Sequence, residues 1–151
     1  MSRVDLLPQS LRSRAGWAEY FEAQRPAQPH LHQIEPTNHC PYSCVMCPRP
    51  TGLERTLGFI PLERFQQVVD QVAGYDEPVR SREIELYHFG ESLLHPDLPA
   101  MVRYASDRGL TTVLSVNAPH LTPARAQAAF AARPTKVIVS LDGDDAETYA
   151  A

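Results

Sequence analysis

The sequence has little of what would tie it to an oxidising compartment, a membrane or a nucleic acid. Cysteine occurs only as Cys40, Cys44 and Cys47, an odd number in one tight cluster and a poor basis for disulfide pairing. No apolar run approaches the roughly 20 residues that span a bilayer. Residues 1–10 carry Asp5 and Pro8 and lack the apolar core of a secretory signal. Lysine occurs once, at Lys136; the other basic residues are scattered arginines, and the net charge is −4 at pH 7. That balance lacks the basic footprint of a protein held by phosphate contacts. There is no sequence repeat and no low-complexity tract. A soluble cytoplasmic chain with no nucleic-acid or membrane partner is the expectation.

What is present is an ordinary globular balance, 43% hydrophobic and 21% charged over 151 residues, enough for one domain with its own core. Fourteen prolines are many, but those from Pro26 to Pro50 bracket the cysteines and stiffen a loop. Residues 1–30 read as an extension with a short helix over 15–23, placing Trp17, Tyr20 and Phe21 on one side before Pro26 and Pro29 stop it. Residues 31–151 read as a second unit in which strands and helices alternate. Strands are expected over 32–36, 83–89, 111–116 and 136–141. Pro61 opens a helix with Leu62, Phe65, Val68, Val69 and Val72 at helical spacing. Pro96 and Asp97 open the next, with Leu98, Met101, Val102 and Ala105 on one face and Gly109 as its stop. Thr122 caps a third, which carries Ala126, Ala129 and Phe130. Such alternation means βαβ units and a parallel sheet.

Parity within the strands adds a shape. Ile34, Ile84, Leu86, Leu114, Val116, Val137, Val139 and Leu141 form an aliphatic set; Glu35, Thr37, Glu85, Tyr87, Glu91, Ser115, Asn117, Ser140 and Asp142 form a polar one. A sheet covered by helices on both faces would be apolar on both. The expected fold is therefore α/β, a partial parallel (β/α) barrel with a wet interior, ending after about four strands. Residues 142–149 read as a loop and the first turn of a further helix, whereas a full barrel takes about 200 residues or more. A fragment or a truncated product is expected.

The chemistry centres on Cys40-Pro-Tyr-Ser-Cys44-Val-Met-Cys47, directly after the first strand. Thiolates bind zinc or iron–sulfur clusters. Zinc would require a fourth ligand, His39 or a distant histidine, giving a non-catalytic Cys3His module. Three cysteines alone suit a cubane cluster with one iron left open. Gly90 and Glu91, Asn117, and Ser140 with Asp142 end the three later strands, on the rim where the cysteine loop also opens. Sites in parallel α/β folds form at that rim.

The run from Glu35 through Cys40 to Cys47-Pro-Arg resembles the cluster loop of the radical S-adenosylmethionine (SAM) superfamily, in the branch whose members often carry SPASM or twitch domains. Tyr87-His-Phe-Gly90-Glu91-Ser-Leu-Leu-His95-Pro96 resembles the Gly-Glu motif of that family, and Ser140-Leu-Asp142-Gly143 its fourth strand. The resemblance implies a 4Fe–4S cluster on Cys40, Cys44 and Cys47 whose open iron takes SAM, with Glu91, beside Gly90, on the SAM ammonium. It implies Ser140 and Asp142 at the ribose or substrate, Asn117 in the lumen, and Met46 near the adenine, where most members carry an aromatic residue. It further implies reductive cleavage of SAM to a 5′-deoxyadenosyl radical, an electron donor such as flavodoxin or ferredoxin, and a peptide, protein or small-molecule substrate. A truncated chain that holds the cluster without turnover is a further alternative. Asn117 is followed by Ala118 rather than glycine, and Glu91 by Ser92 rather than proline.

Other polar residues have plainer expectations. His39 is a solvated loop residue, His88 a packed outward one, His95 a turn or cap residue, and Tyr87 a packed, hydrogen-bonded one. Asp144 and Asp145 favour the positive start of the next helix. Glu85, inward on its strand, requires a partner if buried, an arginine or SAM itself.

Overall fold

The structure, a computed structural model, describes residues 8–25, 31–52, 54–75, 83–141, 143, 145, 147 and 148. Helices α1 (Arg14–Gln24), the short α2 (Arg49–Gly52), α3 (Leu62–Ala73), α4 (Leu98–Asp107) and α5 (Pro123–Ala131) accompany strands β1 (Glu83–Glu85), β2 (Thr111–Asn117) and β3 (Lys136–Ser140). The strands pair in the order β1-β2-β3, all parallel, with α4 and α5 as the connections. This is the expected α/β partial barrel wall.

The first strand is smaller than expected. It survives as one parallel bridge, Gln33 to Glu85, in which the Ile34 N–H donates to Glu85 and the Glu85 N–H to His32. The next bridge in that register would need an N–H at residue 36, which is proline. β1 also stops early, and beyond it the N–H groups of Phe89, Gly90 and Glu91 go to the Glu35 carboxylate and the His39 carbonyl rather than to a neighbouring strand.

The helices follow their sequence signals. The Ser13 hydroxyl accepts from the Gly16 N–H at the start of α1, and Thr122 accepts from Arg125 at the start of α5. α4 ends as its glycine dictates. Gly109 takes φ +76°, and the N–H groups of Gly109 and Leu110 close on the carbonyls of Ser106 and Ala105. Phe65, Val69 and Val72 of α3 and Leu98, Met101, Val102 and Ala105 of α4 are buried against Ile34, Ile84, Leu86, Leu114 and Val116. The aliphatic parity set thus faces the helices, and full burial of a side chain such as Leu114 contributes about 1.5–3 kcal/mol. The set thins at β3, where Val137 is partly buried but Val139 and Leu141 are exposed. α5 buries Ala129 while Phe130 stays half exposed. In α1, Trp17 stacks on Phe21, Tyr20 meets both rings edge to face, and none of the helix's residues is buried.

Candidate functional site

The cysteine loop leaves the first strand and is closed by a return segment, residues 54–60, that sequence reading did not anticipate. The Ile60 N–H donates to the Pro36 carbonyl, the Thr37 hydroxyl to Gly58, the Asn38 side chain to Thr56, and the Gly58 N–H back to Asn38 Oδ1. The signal available in sequence was the polar run Thr37-Asn38 just ahead of Cys40, side chains suited to bridging loop backbone. Within the loop the Cys47 N–H donates to the Cys44 carbonyl. All three thiols are free, Cys44 exposed and the others half-buried.

At the carboxyl ends of the strands lies a cavity of about 150 Å³, lined by Cys40 and Cys44 from the loop, Tyr87 and Gly90 after β1, Asn117 at the end of β2 and Ser140 at the end of β3. Asn117 and Ser140 are register partners in the ladder, so their side chains share one face. Parallel order carries all these residues to one rim.

Gly90 sits where no side chain fits, since a Cβ there would run into the Thr37 main-chain carbonyl. Its neighbour Glu91 does not line the cavity. That side chain is 1% exposed, with Oε1 accepting the Leu93 N–H and Oε2 accepting from both nitrogens of Asn117. All three of these donors are neutral N–H groups.

The other expected residues divide. Met46 is 79% exposed at the loop tip and does not line the cavity. Asp142 lies outside the described residues, as does Asp144. The His39 ring stacks on Phe59 with centroids 4.6 Å apart. His88 is exposed against the Phe89 ring rather than packed, because β1 has ended before it. His95 is buried as a turn residue: Nδ1 accepts the Asp97 N–H and Nε2 donates to the Ile60 carbonyl. Among the described residues Glu85 finds Gln33 and Tyr87, and burial, then the Glu85 carboxylate, raises the Tyr87 hydroxyl above its ordinary 10.0. Asp145 caps the turn ahead of it, and hydrogen bonds from Thr148 hold its carboxyl below the usual value.

The donor set fits an anionic sulfur cluster. Three thiols share one loop, and two residues past Cys47 the Arg49 Nε is buried with no hydrogen-bond partner among the described residues. Another nitrogen of that guanidinium donates to the Tyr42 carbonyl within the cysteine loop. No three His, Cys, Asp or Glu side chains among the described residues are gathered as for a single metal ion.

The family model of the Radical SAM superfamily matches residues 34–151. The chain belongs to the radical SAM superfamily. Among radical SAM relatives it is 31% identical over 121 residues to the AdoMet-dependent heme synthase of Methanosarcina barkeri, covering 80% of this chain and 33% of that protein. It is 30% identical over 115 residues to the PqqA peptide cyclase of Rhodopseudomonas palustris, covering 75% of this chain and 29% of that one. The chain thus spans about a third of the length of these curated relatives. The crystal structure of BtrN in complex with AdoMet and 2-DOIA superposes with a TM-score of 0.65 at 20% identity, over 76% of this chain and 46% of that one, a likeness of fold. Among the described residues no helix is long and apolar enough to cross a membrane.

Proposed function

We propose that this chain carries the cluster and SAM site of a radical SAM enzyme. The observation that carries the reading is the shared cavity, where Cys40 and Cys44 meet Gly90, Asn117 and Ser140 at the strand ends. Cys40, Cys44 and Cys47 would hold a 4Fe–4S cluster, with the Arg49 guanidinium as a counter-charge. Bound there, cluster and SAM supply an electron and a 5′-deoxyadenosyl radical for hydrogen abstraction from substrate.

The chain's own residues orient and shield. Glu91 is assigned to the SAM ammonium by resemblance, and its buried carboxylate stands next to Gly90 and Asn117 of the cavity lining. Gly90 brings main chain rather than side chain to the cofactor. Ser140 and Asn117 present a hydroxyl and an amide suited to ribose or substrate, and Asp142 is assigned to the same end by resemblance. The relatives' names point one to heme and one to a peptide, so SAM use is the chemistry that transfers, with flavodoxin or ferredoxin as the class of electron donor.

The test is anaerobic reconstitution with iron and sulfide, then EPR of the reduced protein with and without SAM. A cluster signal that changes shape on adding SAM is expected. A signal indifferent to SAM, or tightly bound zinc in place of a cluster, would overturn the reading. Glu91→Gln should keep iron and sulfide and weaken SAM binding roughly tenfold, the scale of one charge-assisted contact.

A further inference from the structure

We propose that Glu35 is a positioning residue for the cofactor turn, acting through the main chain of Phe89 and Gly90; this rests on the function proposed above. Glu35 lies two residues past the Gln33–Glu85 bridge and does not line the cavity. Its Oε1 accepts two successive N–H groups, from Phe89 at 3.0 Å and Gly90 at 3.2 Å. Successive N–H groups converging on one point form a concave anion seat. Here a carboxylate of this chain fills it, through charge-assisted bonds.

The carboxylate is itself held. Arg55, on the return segment that closes the cysteine loop, donates to Glu35 Oε2 at 2.9 Å, and the Glu35 side chain is only 17% exposed. The third N–H of the turn, that of Glu91, goes to the His39 carbonyl at 2.8 Å, and Gly90 abuts the Thr37 carbonyl. Three consecutive N–H groups of the turn are therefore bonded by residues 35–39, the segment that runs directly into Cys40. The first cysteine and the Gly90–Glu91 turn share one mount, and Glu35 supplies two of its three main-chain bonds. Without it the turn loses its register to the cysteine loop while the thiols remain in place.

The experiment compares the chain with Glu35→Ala, Glu35→Gln and Arg55→Gln. Hydrogen exchange by mass spectrometry follows the peptide spanning residues 87–91; iron and sulfide content and the SAM-induced change in the EPR signal follow the site. Glu35→Ala should retain iron and sulfide, lose exchange protection in that peptide and weaken SAM binding by roughly tenfold. Glu35→Gln should restore both, because its amide oxygen still accepts the two N–H groups. Arg55→Gln, at a half-exposed position, should weaken SAM binding only about twofold to threefold. Unchanged exchange and SAM binding in Glu35→Ala would overturn the proposal, as would failure of Glu35→Gln to restore them. A wild-type signal that ignores SAM would instead overturn the function proposed above, and exchange at residues 87–91 would still decide whether Glu35 holds the turn.

Discussion

The Glu91 carboxylate accepts from both nitrogens of Asn117, the main chain at 2.9 Å and the side chain at 2.7 Å. The pair ties the turn after β1 to the last residue of β2, across the floor of the site. Asn117→Ala removes one charge-assisted bond from a nearly fully buried carboxylate and should cost about 1.5–3 kcal/mol in chemical denaturation. Asn117→Asp should cost more, since it sets a second carboxylate against the first. Equal stability of Asn117→Asp and wild type at pH 7 would refute the contact.

Gly90 and Gly52 make a matched comparison. Gly90→Ala forces a Cβ into a main-chain carbonyl that has no rotamer to escape through, and should cost about 2–3 kcal/mol or more. Gly52 has open space around it, so Gly52→Ala should fall within about 0.5 kcal/mol of wild type. Thermal melts of the two variants check the difference, and a SAM response should persist only in Gly52→Ala.

Replacing Cys40, Cys44 or Cys47 singly by alanine should bring iron and sulfide down to background after reconstitution. The melting temperature of the unreconstituted protein should hardly move for Cys44→Ala, because that side chain is exposed. Full iron retention in all three variants would remove them as ligands.

Tyr87 supplies a pH test. Its hydroxyl is raised above 10.0, first by burial and then by Glu85, so the folded state holds its proton longer than the unfolded chain does. The stability it contributes is intact below pH 10 and is lost as the pH climbs from there through the raised value. Subtracting the absorbance titration of Tyr87→Phe from that of wild type should show a phenol ionising above 10. Glu85→Gln should lower it in part, leaving the share due to burial.

Thr112 is fully buried on the helix-facing side of β2, and its Oγ1 has no hydrogen-bond partner among the described residues. Thr112→Val keeps the branched shape that strands favour and removes the stranded hydroxyl. A gain of about 1 kcal/mol is expected, read as a rise of about 2–4 °C in melting temperature. A lower melting temperature would show that the hydroxyl is bonded in solution.

Helices and their ends were legible locally, since proline at the first turn, Thr122 ahead of α5 and Gly109 behind α4 act on their own neighbours. So was the parallel α/β plan, because parity and alternation need no knowledge of partners. Cysteine spacing sufficed for the donor set, and the ordered motifs sufficed for the family. The later two strands fell within a residue of their expected bounds, but the extent of the first two was not legible. Pro36 ends the first because a particular register calls for its missing N–H, and past the end of β1 the Phe89 and Gly90 N–H groups go to Glu35, a residue 54 positions away in sequence from Phe89. Composition shows a carboxylate at position 91 but not that Asn117 encloses it, nor that Met46 points to solvent. Local chemistry follows from the order of the residues; which groups share a hydrogen bond across the sheet depends on register and packing, and only the tertiary structure decided that.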